Sequence, residues 1–85
     1  MIAVPALQLM SRKACCLCKD AEVMLATFVA QERCTLEVLD VDQDMTLAAL
    51  YGMDVPVLLV QKEVRCMHRI EEQDIEVLLA EVAAC

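Results

Sequence analysis

Aromatic side chains are nearly missing from this chain. Phe28 and Tyr51 are the only two, and tryptophan does not occur. A core must then be aliphatic, with methionine and cysteine filling the gaps. Glycine occurs once, at Gly52, and proline twice, at Pro5 and Pro56, which excludes a loop-rich scaffold. Positive charge is scarce too: 7 Lys and Arg face 14 Asp and Glu, a formal net charge of -7. With no basic patch, nucleic-acid binding through phosphates is not expected. No stretch approaches the roughly 20 apolar residues that span a bilayer. The N-terminal segment carries no basic region ahead of an apolar run of signal-peptide length. These absences predict a cytoplasmic protein without a membrane partner.

What is present is apolar. Sixty per cent of the 85 residues are hydrophobic, enough for one small domain, 1–85, and too little chain for a second. The six cysteines are Cys15, Cys16, Cys18, Cys34, Cys66 and Cys85. Six is the number a small secreted protein uses for three bridges. Here they interrupt long, regular hydrophobic periods, so a reducing compartment and free thiols are expected, with catalysis or metal binding left to the closely spaced ones.

Three of them crowd into Lys13-Ala14-Cys15-Cys16-Leu17-Cys18-Lys19-Asp20. Cys15 and Cys18 form a Cys-x-x-Cys pair between a strand-like run and a helix-like run. A cysteine at a helix start meets unpaired backbone N–H groups and the positive end of the helix dipole, both of which favour thiolate. A second cysteine one turn on can attack a mixed disulfide formed at the first.

The order of elements follows from periodicity and punctuation. Ala6–Met10 is a short strand, ended by polar Ser11-Arg12-Lys13. From Cys16 to about Gln31, Leu17, Ala21, Met24, Leu25, Phe28 and Val29 recur at helical spacing, with Asp20 and Glu22 in the early turns. Thr35–Val41 is a strand. Asp42 or Asp44 caps a short helix through Ala49 or Tyr51, and Gly52 is placed to end it in a left-handed conformation. Val55–Val60 is a strand opening at its proline. After the turn Gln61-Lys62-Glu63, Val64–His68 returns as a hairpin partner with Val64, Cys66 and His68 on one face. Glu71–Val82 is a helix with Ile75, Leu78, Leu79 and Val82 inward. The fold class is therefore α/β, βαβαββα. A parallel pair with a right-handed crossover opens it, and a hairpin completes a four-stranded mixed sheet flanked by helices.

In this order, and in these motifs, the whole chain resembles glutaredoxin-like proteins of the thioredoxin fold. It is most like small bacterial members with a Cys-x-Leu-Cys site and an Arg/Asp-Val-Pro-Val-Leu segment. The matching residues here are Cys15-Cys16-Leu17-Cys18 and Asp54-Val55-Pro56-Val57-Leu58. The resemblance implies a thiol–disulfide oxidoreductase in which Cys15 attacks and Cys18 resolves. It also implies a cis Val55–Pro56 bond lying against the dithiol, turning Val55 backbone groups toward a substrate strand. Two features depart from the family. Many glutaredoxins hold glutathione with a Gly-Gly step and an acidic residue after the last strand, whereas this region reads Cys66-Met67-His68-Arg69-Ile70-Glu71. The aromatic common at the active-site motif is missing as well.

The expected substrate is a protein or small-molecule disulfide. Glutathione or a thioredoxin-reductase-type donor is the candidate electron source, no cofactor is expected, and the chain is expected to be a monomer. Lys13, Val55, Pro56, His68 and Arg69 are candidate substrate contacts. For His68 and Arg69 the plainer alternative is an exposed strand histidine and a solvated arginine. Cys16 reads either as a passive small residue or as a further resolving thiol. Cys34 and Cys66 read as small buried hydrophobes, and Cys85 as a terminal thiol open to oxidation in air. Met10, Met24, Met45, Met53 and Met67 read as core filler. The clusters Asp40/Asp42/Asp44 and Glu71/Glu72/Asp74 read as caps and solvated faces. A competing reading gathers Cys15, Cys18, Cys66 and His68 into a Cys₃His zinc set. An iron–sulfur cluster shared by two chains, or an interaction module without turnover, are further alternatives.

Overall fold

A parallel pair of strands cannot be joined by a tight turn. In the computed structural model, which describes residues 4–83, that constraint organises the first half of the chain. β1 (Ala6–Ser11) and β2 (Thr35–Asp40) run parallel, with Leu7 opposite Leu36 and Ser11 opposite Asp40. Helix α1 (Cys16–Ala30) makes the crossover. A one-turn 3-10 helix (Val41–Gln43) and α2 (Met45–Tyr51) then lead to β3 (Val57–Val60) and β4 (Glu63–Met67), and α3 (Glu72–Ala83) follows. The sheet order is β2-β1-β3-β4, with β3 antiparallel to both β1 and β4. This is the α/β arrangement expected from the sequence, a four-stranded mixed sheet with helices on both faces. Cys85 lies outside the described residues.

Alternation along the strands divides the core in two. Leu7, Leu9, Leu58 and Val60 point to one face, where Ala21, Leu25 and Phe28 of α1 and Ile75, Leu78 and Leu79 of α3 cover them. Met10, Val57 and Leu59 point to the other face, packed with Val41, Leu47, Tyr51 and Val55. Burial of an aliphatic side chain stabilises by about 1.5–3 kcal/mol, so each face contributes on a scale set by its few large residues.

Acidic residues start three of the helical segments, as expected. Asp40 Oδ1 accepts from Asp42 N, and Asp44 Oδ1 accepts from the N–H groups of Thr46 and Leu47. At α3, Asp74 Oδ2 accepts from Glu71 N, satisfying a donor at the helix start.

Several expectations are corrected. The buried stripe of α1 is Cys18, Ala21, Leu25 and Phe28; Leu17 and Val29 are exposed, because the helix turns Cys18 under the sheet end. Asp20 and Glu22 do fall in the early turns of α1, although its first turn has no acidic residue. Met45 and Met53 are 90% and 97% exposed, so neither is core filler. Gly52 has φ -55, a right-handed conformation. Glycine is needed there for close approach instead: a Cβ would meet Ala48 O at 2.5 Å and an Arg12 guanidinium nitrogen at 3.2 Å.

The hairpin also departs from expectation. Its loop is two residues, Gln61 and Lys62, both at positive φ, as a type I′ turn requires. Leu59 pairs with Val64 but Leu58 pairs with Cys66, so Arg65 is an extra residue in β4. This bulge sends Val64 and Cys66 to opposite faces, and Arg65 forms an ion pair with Glu81 of α3. His68 lies past the end of β4 with φ 68.

Candidate redox site at the start of α1

β1 delivers the chain to the C-terminal edge of the sheet, and α1 begins there. Cys15 is the residue immediately before the helix, extended at φ -105 and ψ 112. Its backbone N donates to Arg12 O at 3.2 Å, and its carbonyl accepts from Lys19 N at 3.1 Å. Its Sγ accepts the Cys18 N–H at 3.1 Å. Cysteine thus fills the cap position where an oxygen-bearing side chain usually satisfies a free helix N–H. The same bond aims the sulfur at the backbone of its partner cysteine.

The two thiols differ in access. Cys15 is half-buried and Cys18 fully buried, while Cys16, on the first turn, is exposed. Burial pushes the Cys18 thiol up to about 11 from 9.0. The Cys15 side chain adds to the rise through a hydrogen bond and through charge, while the Arg12 backbone and the Ser11 hydroxyl oppose it.

An open groove of about 370 Å³ runs beside Cys15, between α1 and β2. Lys13, Lys19 and Arg12 bring positive charge to it, Glu22 and Asp40 negative charge, and Val23 and Val38 an apolar wall. Arg12 is also tied into the scaffold: its Nε meets Asp42 Oδ2 at 3.0 Å and its Nη1 donates to Gly52 O at 3.1 Å. In a chain of net charge -7, three of the seven cations lie at this groove.

Val55 and Pro56 reach the same end of the sheet. Met10 opposes Val57 in the β1–β3 register, so Pro56 comes level with Ser11. The Val55–Pro56 bond is cis, Pro56 is fully buried and Val55 packs with the α2 cluster. Arg69 is exposed and lines a separate groove with Leu17, Asp20, Ile70 and Glu71, one turn along α1 from Cys16. His68 turns elsewhere. Its backbone N donates to Pro56 O at 2.9 Å, and its Nε2 lies 2.8 Å from Asp54 Oδ1. The sequence-derived candidates therefore divide: Lys13 shares the Cys15 groove, Val55 and Pro56 share its sheet end, Arg69 occupies a neighbouring groove, and His68 is held against Asp54.

The four residues of the zinc reading do not form a ligand set. Cys66 sits opposite Leu58 beneath α3, and His68 faces Asp54. Among the described residues, no three His, Cys, Asp or Glu side chains converge as metal ligands. Burial raises the Cys34 and Cys66 thiols above their usual range; Arg33 opposes the rise at Cys34, whereas at Cys66 Asp74 reinforces it and Arg65 opposes it. No helix among the described residues is long and apolar enough to cross a membrane.

Two site residues escaped the sequence reading. Ser11 is the one buried polar residue of the described core. Its hydroxyl donates to Glu22 Oε2 at 3.3 Å. Ser11 had read as the first residue of a loop, yet it is the last of β1. Glu22 had read only as an acid in the early turns of the helix. Its four-residue spacing from Cys18, which puts both on one helix face, was the available signal.

The fold recurs in solved structures. A Nitrosomonas europaea protein determined by NMR superposes with TM-score 0.76 at 24% identity, covering 92% of this chain and 94% of its own. A protein from X. campestris superposes with TM-score 0.70 at 28% identity, covering 93% and 97%. The germline-specific thioredoxin Deadhead of Drosophila melanogaster superposes with TM-score 0.66 at 18% identity, covering 93% and 81%. No curated protein matches the chain. The family model described as Glutaredoxin-like domain (DUF836) matches residues 6–80. With that match over most of its length and a thioredoxin-like arrangement of sheet and helices, the chain belongs to the glutaredoxin-like domain family.

Proposed function

We propose that this domain carries out thiol–disulfide exchange through Cys15 and Cys18. The observation that carries the reading is the half-buried Cys15 Sγ at the helix start, accepting the Cys18 N–H at 3.1 Å, with the Cys18 thiol buried behind it. Backbone N–H groups at a helix N-terminus stabilise a thiolate without any reorganisation. Cys15 attacks one sulfur of a substrate disulfide, forming a Cys15–substrate bond and releasing the other sulfur as thiolate. Cys18 then attacks Cys15 Sγ, the second substrate thiolate leaves, and the pair ends as a disulfide. Two electrons pass from the dithiol to the substrate, and reduction of the pair by an external thiol or reductase returns it.

Lys13 is suited to meet a substrate carboxylate beside Cys15, and Val55 and Pro56 border the sheet end where an extended substrate segment would lie. Arg69 is available for contacts farther along α1, whereas binding through His68 requires it to leave Asp54. Glutathione and a thioredoxin-reductase-type donor both remain candidate reductants, in a monomer working without a bound cofactor. The test is a trap. Cys18→Ser is expected to accumulate a mixed disulfide at Cys15, identified by mass, when mixed with a disulfide substrate. A Cys15→Ser chain that exchanges as fast as the parent would sink this function and leave an interaction module in its place.

A further inference from the structure

Helix α2 covers the sheet with one side and leaves the other bare. Leu47 and Tyr51 pack on Met10, Val57 and Leu59. The outer residues Met45, Thr46, Ala49 and Leu50 are all exposed. Four-residue steps from Met45 to Ala49 and from Thr46 to Leu50 set them side by side. Gly52 keeps the right-handed turn, so Met53 follows Ala49 by the same step. A surface helix ordinarily turns charge toward water. This one turns no charge there, but Met45, Leu50 and Met53 at 90%, 61% and 97% exposure. Three large apolar side chains this open make a patch on the order of a few hundred Å², the size that marks an interaction site.

Place and charge say what the patch meets. Gly52 O accepts from Arg12 Nη1 at 3.1 Å, and Arg12 O accepts from Cys15 N at 3.2 Å. One residue, Arg12, thus links the end of α2 to the attacking cysteine. Met53 also leads into Asp54, Val55 and Pro56, which reach the same sheet end. A chain that offers a disulfide to Cys15 therefore passes beside the patch. From Cys34 to Gln61 the acidic residues are Glu37, Asp40, Asp42, Asp44 and Asp54, with no lysine or arginine among them. Asp42 and Asp44 stand before the start of α2 and Asp54 follows its end. Arg12 meets Asp42 and His68 meets Asp54, while Asp44 accepts from the backbone of α2. Lys13 and Lys19 lie instead in the groove between α1 and β2.

We propose that the outer face of α2 docks the exchange partner, and that this partner is a protein whose disulfide is flanked by apolar residues and by lysine or arginine. This names the substrate class for the exchange reading and rests on it. Met45 and Met53 supply flexible, polarizable contacts that repack against apolar residues of differing shape. Asp42, Asp44 and Asp54 attract the basic flank, steering the encounter and suppressing acidic partners. A second copy of this chain does not fit, because across a two-fold axis the same acidic face would meet itself. Like charges in that position repel. The same repulsion keeps the face off an anionic lipid surface.

Cysteine peptides capped as mixed disulfides with thionitrobenzoate test the docking, since attack by Cys15 on the peptide sulfur releases the coloured thiolate. Three peptides of equal length carry Lys–Leu, Glu–Leu or Lys–Ser flanks. The full chain with Cys16→Ser and Cys85→Ser is the parent, and Cys15→Ser gives the background. The Lys–Leu peptide is expected to react about 10-fold faster than either of the others at low salt, and its lead over the Glu–Leu peptide should shrink at high salt. Leu50→Ser with Met53→Ser should bring the Lys–Leu rate down to that of the Lys–Ser peptide. Asp44→Asn, which keeps the helix cap, should narrow the Lys–Leu to Glu–Leu ratio by about threefold. Glu63→Gln, which removes the same charge from the hairpin, should leave that ratio alone. Equal rates for the three peptides, or no effect of the double serine variant, overturn the docking. So does a ratio that Glu63→Gln narrows as much as Asp44→Asn, which would assign the preference to net charge. A concentration-dependent dimer that the double serine variant abolishes overturns it too, in favour of a second copy. Neutral dipyridyl disulfide, which has no flanking chain, should react equally with the parent and every variant that keeps Cys15. If that reaction stands while the peptide preferences fail, exchange survives without the docking; if it shows no dependence on Cys15, both fall.

Discussion

Cysteine occupies two contrasting settings in this domain. At the start of α1, Cys15 caps a helix, accepts a backbone N–H and borders a groove with three cations. Under the helices, Cys34 is buried in the cluster of Leu7, Leu25 and Phe28, and Cys66 packs at its edge. Burial raises the thiols of Cys18, Cys34 and Cys66 alike. What distinguishes the pair is therefore the company each thiol keeps. Cys15 accepts a backbone N–H and borders the groove, and Cys18 is buried one turn behind it; Cys34 has aliphatic neighbours. A cysteine count cannot tell these settings apart, but substitution can.

The sharpest contrast should come from replacing sulfur with oxygen. Cys15→Ser is expected to reduce exchange to the Cys15-independent background, measured as thiol release from an aryl disulfide, while leaving the thermal midpoint almost unchanged, since serine is itself a good cap. Cys34→Ser should do the reverse. A hydroxyl placed in that aliphatic cluster without a partner costs about 1–3 kcal/mol, read by chemical denaturation, with exchange kinetics preserved. A Cys34→Ser chain that stays folded and loses exchange would break the distinction.

Next in size is a pH effect at Cys18. Its thiol keeps its proton to about 11, against an ordinary 9.0. As pH rises above the ordinary value, the unfolded chain loses that proton first, so stability from this group is intact below 9.0 and declines through about 11. Denaturation across this window should show a fall that is shallower in Cys18→Ala. Alkylation mapped by mass should reach Cys18 only toward the upper end. Early alkylation of Cys18, alongside Cys15, would place it outside the buried setting.

The smallest expected effect is at Cys66, which is half-buried beneath α3. Cys66→Ser should cost about 1 kcal/mol or less, below the buried-polar penalty because water reaches the site, and should not alter exchange. If it matches the cost of Cys34→Ser, the two core cysteines share one environment after all.

Much of the fold was legible because its signals are local. The apolar spacing of Ala21, Leu25 and Phe28 marks α1, and Asp44 marks the start of α2. The Cys-x-x-Cys spacing at a helix start pointed to Cys15 and Cys18 for the same reason. Where the reading failed, distant residues intervened. Arg12 reaches Gly52 O from 40 positions away, and that approach, with Ala48, explains the glycine where a left-handed cap was expected. One extra residue, Arg65, reverses the faces of β4 beyond it. His68 turns to Asp54 because the chain leaves β4 with a positive φ.

Element order, the helix caps and the position of the dithiol follow from chemistry acting over a few residues, and the chain's own periodicity was enough to find them. The neighbourhood of Cys18 does not. Ser11 and Glu22 come together because strand register and the crossover lay α1 over the end of β1, and burial then removes water as an alternative partner for the Ser11 hydroxyl. Long-range register and exclusion of water arise only in the packed molecule, so that is where the bond between Ser11 and Glu22 was decided.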